Sequence, residues 1–302
     1  MLGSSQAPIL VGVDGSEFSD NAIRWAAREA VLRDRPLRVV HAFVWPMLNV
    51  PLGPPPGAPT GAGLRATADR LVTEAAALAR EEAPSIQVET DVVSGAAAAV
   101  LIGAAQDAVL LVVGCRGMGG LSGLLVGSVG VQTATYAPCP VAVVRGPRPS
   151  STRPRPVVVG VDGSPASTAA VGVAFEEADL RHRDLAVLHA WTNPIPAEPG
   201  DMLPPVYDVD SVAAEEGVVL AESIAGWRDK FPDVRVDERV VHQRPRHALV
   251  AASNEAELLI VGARGRGGFR GLLLGSVSQH VMHHAECPVM IARHAAAIGH
   301  AA

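Results

Sequence analysis

The sequence has 302 residues, of which 48% are hydrophobic and 19% are charged, so its length suggests roughly two globular domains of ordinary composition. Its formal net charge of −6 argues against a general nucleic-acid or anionic-membrane binder, which would need a broad basic surface. The first residues, MLGSSQAP, carry neither a basic leader nor a long apolar run, and no apolar stretch approaches the roughly 18 to 20 residues of a membrane span, so we expect a cytoplasmic protein.

Short runs rich in Val, Ile and Leu alternate with longer helical patterns, which is typical of a parallel sheet covered on both faces. In chain order the first half predicts a strand at 8–13, a helix at 17–33, a strand at 37–43, a helix at 64–82, a strand at 86–93, a helix at 95–107, a strand at 109–113, a helix at 125–136 and a strand at 140–144. The segment 46–63 is rich in Pro and Gly and is predicted to form a loop beside the site. The expected fold is α/β, with doubly wound, flavodoxin-like, five-stranded parallel sheets.

An internal repeat organises the chain. ILVGVDGS at 9–16 returns as VVVGVDGS at 157–164, and VVGCRGMGGLSGLLVGSVG at 112–130 returns as IVGARGRGGFRGLLLGSVS at 260–278. Both pairs are offset by 148 residues, and a proline-rich segment separates the copies. The sequence therefore predicts two similar domains, at 1–146 and 157–302, joined by a linker at 147–156.

The end of the first strand in each copy carries candidate binding residues. Gly12 and Gly160 lie inside these strands, where a glycine often marks close approach of a ligand, although packing under a helix is the alternative. Ser164 precedes a proline and is predicted to cap the next helix, as is its counterpart in the first copy. Asp14 and Asp162 would then be free to accept hydrogen bonds from an adenine amine or from ribose hydroxyls.

A glycine-rich motif follows the fourth strand of each copy and ends where a helix begins. Backbone N–H groups and a helix N-terminus could converge there on phosphate oxygens, and the glycines would make room for a triphosphate. The motif consists of Gly114, Gly117, Gly127 and Ser128 in the first copy and of Gly262, Gly265, Gly275 and Ser276 in the second.

Other nucleotide and catalytic motifs are missing. There is no GxxxxGK[ST], the only lysine is Lys230, and neither motif serine lies in a GxSxG elbow. His41 and His189 end the second strand of each copy and are interpreted as structural, with an acid–base role as the alternative. Three histidines at 280, 283 and 284 could bind a metal ion, but their counterparts at 132, 135 and 136 are not histidines, so no metal site is predicted.

The glycine motif and the strand-end aspartate resemble the universal stress protein family, specifically its ATP-binding members with two domains in tandem, over about 8–145 and 156–293. The resemblance implies that Asp14 and the backbone at Ala42 hold the adenosine end of ATP. It further implies that ribose and phosphates are held by Gly114, Gly117, Gly127, Ser128 and Val129. The matching set in the second copy is Asp162, Ala190, Gly262, Gly265, Gly275, Ser276 and Val277. Phosphate contacts by Arg116 and Arg264 are inferred from their charge alone.

The resemblance leads us to expect an ATP-binding regulator of stress or growth state, with one ATP site per domain, with or without Mg²⁺. No enzymatic activity is expected, because no base, nucleophile or P-loop lysine is evident. The alternatives are a slow Mg²⁺-dependent ATPase or phosphate-transferring enzyme, and a scaffold whose sites are empty. Family members commonly pair through their last strands, so we also expect the two domains to pair within one chain, and a homodimer is a further possibility. No nucleic-acid or membrane partner is expected.

Overall fold

The structure is a computed structural model. It describes residues 6–43, 63–117, 126–147, 153–192, 209–266 and 274–293. The chain divides into two compact units, the first containing the first five strands and the second containing the last five. The exact domain boundaries stay a prediction.

The first unit alternates strands with helices. Its elements are β1 (Ile9–Gly12), α1 (Glu17–Leu32), β2 (Leu37–Phe43), α2 (Leu64–Glu82), β3 (Val88–Ser94), α3 (Ala97–Ala104) with a 3₁₀ turn (Ala105–Asp107), β4 (Leu110–Gly114), α4 (Ser128–Tyr136) and β5 (Val141–Val144). The strand order is β3-β2-β1-β4-β5, and every neighbouring pair is parallel. The chain direction across the sheet therefore reverses between β1 and β4, which is where open α/β sheets bind ligands.

The second unit repeats this arrangement. Its elements are β6 (Val157–Val161), α5 (Pro165–Arg181), β7 (Leu185–Trp191), α6 (Val209–Ile224), α7 (Trp227–Lys230), β8 (Val236–His242), α8 (Pro245–Ser253), β9 (Leu258–Gly262), α9 (Ser276–His284) and β10 (Val289–Ala292). The strand order is β8-β7-β6-β9-β10, again with parallel pairs. The predicted class, two doubly wound five-stranded α/β domains in tandem, is confirmed.

The central strands are buried because helices cover both faces of each sheet. Ile9, Leu10 and Val11 of β1 and Leu111 and Val112 of β4 have no exposed surface. The buried face of α1 is built largely from alanine, whose small side chain lets the helix lie close to the sheet. This close packing sets the position of the loops that follow β1 and β4.

The repeat is interrupted in one helix. Repetition of the 64–82 helix predicts a single helix at 212–230, but the structure has α6 and α7 instead. Gly226 separates them in a left-handed conformation with φ +76°, which glycine adopts without steric cost. Trp227 then stacks on Phe175, with ring centroids 6.0 Å apart. The second unit therefore departs from an exact repeat of the first unit at this helix.

Two other predictions need comment. The helix expected at 125–136 begins only at Ser128. Gly127, its N-cap residue, has an extended backbone conformation. The predicted loop at 46–63 falls, except for Gly63, outside the described residues.

Candidate functional site

The loops that follow β1 and β4 meet above the point where the strand order reverses. Gly12 ends β1, Gly114 ends β4, and the N-terminus of α4 lies beside them. Gly127 N–H donates to the carbonyl of Cys115 at 2.8 Å, which joins the start of α4 to the loop after β4. The second unit makes the equivalent bond, from Gly275 N–H to Ala263, also at 2.8 Å.

A cavity of about 440 Å³ opens at this place in the first unit. That volume falls within the range of small-molecule sites. All nine residues that the sequence places in the first site line it: Gly12, Asp14, Ala42, Gly114, Arg116, Gly117, Gly127, Ser128 and Val129. The structure therefore brings together residues that span more than a hundred positions of sequence.

The strand-end aspartates are engaged within the protein, so the expectation that they are free was wrong. Oδ1 of Asp14 accepts hydrogen bonds from the Ser16 backbone N–H at 3.0 Å and from its hydroxyl at 2.7 Å. Ser16 itself is the predicted N-cap of α1 and accepts from the backbone of Ser19. The aspartate is thereby fixed in orientation at the edge of the cavity.

Asp162 is held by the same turn and also by the loop that follows β9. Its Oδ1 accepts from the Ser164 N–H at 3.0 Å, and its Oδ2 accepts from the Arg266 N–H at 2.9 Å. Burial by itself would raise the pKa of Asp162, but the hydrogen bonds from Ser164, Arg266 and Ser167 outweigh it and lower that pKa. The carboxylate of Asp162 is therefore stabilised in its charged form by the turn that holds it.

The start of α4 offers unpaired donors to the cavity. Gly127 is its N-cap residue and, lacking a side chain, makes no capping bond. The first intrahelical bond runs from Val131 to the Gly127 carbonyl, so the N–H groups of Ser128, Val129 and Gly130 have no acceptor among the described residues. Together with the helix dipole, such groups attract an anion.

Among the described residues, nothing packs against the position that a side chain of residue 127 would take. A methyl group added to Gly127 would lie 3.9 Å from the nearest described atoms, which belong to Arg116 and Cys115, so these residues leave the space open. The backbone of Gly127 has φ −73° and ψ 159°, which any residue can adopt. The space beside Gly127 is therefore available to a ligand.

Other motif glycines have reasons that involve the protein alone. A methyl group on Gly114 would lie 2.8 Å from the carbonyl oxygen of Phe18 in α1, and one on Gly12 would lie 2.6 Å from Leu101. Gly262 and Gly160 are restricted in the same way in the second unit, by Ala166 and Leu249 respectively. The packing interpretation of Gly12 and Gly160 thus has direct structural support, and Gly12 also lines the cavity.

The structure adds lining residues that sequence reasoning did not assign to the site. His41 was interpreted as structural, and its Nδ1 does lie 2.8 Å from the carbonyl oxygen of Val13, but the residue also lines the cavity. The apolar wall comes partly from Ala97 and Leu101 of α3. No motif marks this wall, although the apolar sequence of α3 is compatible with it.

The arginine in the loop after β4 is positioned by an aromatic ring. The guanidinium of Arg116 lies over the ring of Phe18, 5.6 Å from its centroid, while the residue lines the cavity. Its counterpart, Arg264, is exposed at the equivalent position of the second unit. Both positions are compatible with contact to an anionic ligand.

Neither a metal-binding cluster nor a membrane-spanning helix occurs among the described residues. No group of three or more His, Cys, Asp or Glu side chains there could hold a metal ion. In the same part of the chain, no helix has the length and apolar character needed to cross a bilayer.

These features define a class of protein: a tandem α/β protein whose repeated glycine motif surrounds a strand-end cavity. A model of the universal stress protein family matches residues 7–145 and again 154–293. The chain belongs to the universal stress protein family, with two family domains in tandem.

Individual relatives agree over nearly the full length. A universal stress protein of Mycobacterium tuberculosis is 41% identical over 300 residues, covering 96% of this chain and 98% of the relative. One of Mycolicibacterium smegmatis is 40% identical over 298 residues, covering 94% and 96%. The crystal structure of a universal stress protein from Archaeoglobus fulgidus aligns with a TM-score of 0.67 at 19% identity, over 95% of this chain and 98% of that one, which supports the fold.

Proposed function

We propose that each domain binds one ATP and that the protein acts as a nucleotide-dependent regulator of stress or growth state. The observation that carries this proposal is the open space at Gly127, beside the uncapped N-terminus of α4. Phosphate oxygens are suited to this position because several N–H donors and the helix dipole converge there. The cavity of about 440 Å³ is compatible with a ligand of nucleotide size.

The lining of the cavity offers groups suited to the different parts of a nucleotide. Arg116 and the start of α4 supply positive charge and N–H donors for phosphates. Leu101 supplies an apolar wall for a base, and Asp14 supplies a fixed carboxylate that can accept hydrogen bonds from hydroxyl or amine groups. ATP could carry Mg²⁺ on its own phosphates, which would partly neutralise its charge.

We propose binding and not turnover. The titratable groups among the lining residues are Asp14, His41 and Arg116. Asp14 is engaged by Ser16, and Nδ1 of His41 is engaged by a backbone carbonyl, so neither is poised in an obvious nucleophile–base pair. A single-turnover assay for ADP release in the presence of Mg²⁺ tests the alternative of a slow ATPase or a phosphate-transferring enzyme.

The main test measures ATP per chain. Purified protein is heated and the supernatant is assayed for released ATP, and nucleotide-free protein is then titrated with ATP in a calorimeter. We expect a stoichiometry of two per full chain. If no ATP is released on heating and no heat of ATP binding is measured, the proposal is overturned.

The remaining expectations belong with this proposal. We infer a cytoplasmic location, and no nucleic-acid or membrane partner is proposed. Pairing of the two domains within one chain, and a homodimer, stay predictions of the family resemblance.

A further inference from the structure

The two domains carry the same histidine with different surroundings. Nδ1 of His41 lies 2.8 Å from the carbonyl oxygen of Val13, and Nδ1 of His189 lies 2.8 Å from that of Val161. A carbonyl oxygen only accepts hydrogen bonds, so Nδ1 carries the hydrogen in both rings. The second ring nitrogen, Nε2, is therefore the atom at which the two domains can differ.

In the second domain a glutamate is hydrogen-bonded to this nitrogen. Oε2 of Glu216, in α6, lies 2.6 Å from Nε2 of His189, and the two side chains are 26% and 4% exposed respectively. Because Nδ1 already carries a hydrogen and a carboxylate oxygen only accepts, a hydrogen bond of this length requires a proton between Nε2 of His189 and Oε2 of Glu216. The bond leaves Nε2 of His189 unavailable to another partner.

In the described part of the first domain, the same nitrogen has no such partner. The position of α2 that corresponds to Glu216 is Ala68, which is 3% exposed and has no group that could reach His41 as a hydrogen-bonding partner. Among the described residues no side chain hydrogen-bonds Nε2 of His41, and His41 lines the cavity. With Nδ1 donating, Nε2 of a neutral His41 ring is an acceptor that a ligand could use.

We propose that Glu216 is a specificity-determining residue, which by bonding Nε2 of His189 removes from the second domain a ligand contact that Nε2 of His41 offers in the first. The proposal rests on the proposed nucleotide binding and deepens it. His41 adjoins Ala42 near the end of β2, and both residues line the cavity. The groups that Nε2 of His41 could accept from are the ribose hydroxyls and the exocyclic amine of the base, so the two sites differ in their preference for these groups.

The experiment uses the full chain and measures each site in a background where the other is blocked. Gly127→Val blocks the first site and Gly275→Val blocks the second, and apo unfolding midpoints check that each background folds. Dissociation constants are measured for ATP, 2′-deoxy-ATP and inosine triphosphate. The first analogue lacks a ribose hydroxyl, and the second lacks the exocyclic amine. The readout is the ratio of each analogue's constant to that of ATP, since a purely structural role of Glu216 would shift all three constants together.

Three substitutions in the second domain isolate Glu216. Glu216→Ala frees Nε2 of His189, and we expect at least one ratio to move towards the value of the first site by about threefold to tenfold, the range of one hydrogen bond. Glu216→Gln can still occupy Nε2 and should keep the wild-type ratios. Glu215→Ala makes the same charge change at an exposed neighbouring position and should also leave them unchanged.

The reciprocal substitution is made in the first domain. Ala68→Glu places a carboxylate opposite His41 and should move the ratios of the first site towards those of the second. Equal ratios at the two wild-type sites, or unchanged ratios in Glu216→Ala with ATP still bound, would overturn the proposal on Glu216 alone. If the wild-type chain binds ATP at neither site, the proposed function is overturned, and this proposal is overturned with it.

Discussion

The carboxylate of Asp14 fills the space that a side chain at position 117 would need. A methyl group added to Gly117 would overlap Oδ2 of Asp14, and one added to Gly265 would overlap Oδ2 of Asp162. The sequence suggested that these glycines make room for a triphosphate. The structure shows that they first make room for the aspartate at the end of the neighbouring strand.

The contact between Gly117 and Asp14 predicts an energetic coupling. Gly117→Ala should lower the free energy of unfolding of the nucleotide-free protein, because the added methyl displaces a carboxylate that Ser16 holds in place. In an Asp14→Ala background the same change should cost little. A double-mutant cycle on denaturant midpoints should give a coupling of about 1 to 3 kcal/mol.

The second domain provides the matched comparison for this cycle. Gly265 and Asp162 make the same contact, so their cycle should give a coupling of the same sign. Additive effects in both cycles would mean that the two loops move apart freely and that the contact does not constrain the glycine.

Gly127 allows a direct test of the phosphate position. Because no atom of the described residues lies closer than 3.9 Å to an added methyl group, Gly127→Ala should leave the fold intact, with at most about 1 kcal/mol lost from a poorer N-cap residue. The methyl group would project into space expected to hold phosphate, so the ATP stoichiometry should fall from two towards one per chain. Calorimetric titration checks this result.

The control for Gly127→Ala is Gly146→Ala, since a methyl group at position 146 would have no described atom within 4 Å and Gly146 does not line the cavity. That variant should keep both ATP sites. Undiminished ATP binding by folded Gly127→Ala would show that phosphate lies elsewhere.

Arg116 should distinguish charged ligands from neutral ones. If its guanidinium contacts phosphate, Arg116→Ala should weaken binding of ATP at the first site more than binding of adenosine, and the difference should shrink as salt is added. We expect a loss of about tenfold for ATP at low ionic strength, which is the effect of one charge-assisted hydrogen bond. Arg70→Ala, which removes an exposed arginine of α2, is the control for net charge. An equal loss for ATP and adenosine would assign Arg116 a structural role through Phe18.

The lowered pKa of Asp162 leads us to expect that the stability of the protein depends on pH. Its pKa is lower in the folded protein than in the unfolded chain, so its contribution to stability is full above the ordinary aspartate pKa of about 4 and is lost as the pH falls through the lowered value. The wild-type protein should therefore lose more stability between pH 6 and pH 3 than Asp162→Asn does. Urea midpoints of the nucleotide-free proteins at both pH values measure the difference, and parallel losses would contradict the assignment.

Much of the first site could be predicted from the sequence because repetition marks it. The nine lining residues from Gly12 to Val129 recur in the second copy at a constant offset, and their positions at strand ends follow from the pattern of apolar runs. The prediction of Ser16 and Ser164 as helix caps is also confirmed. Capping can be predicted because it depends on local sequence.

The sequence by itself determined the fold class, the repeat and the set of residues at the strand ends, because hydrophobic periodicity, caps and glycine spacing are local signals. Only the tertiary structure decided which atoms these residues meet. It placed Asp14 against Gly117, Phe18 against Gly114 and Glu216 against His189, contacts between segments that are distant in sequence or on different elements. Such contacts depend on how closely helices and loops pack on the sheet, and no single segment encodes that distance.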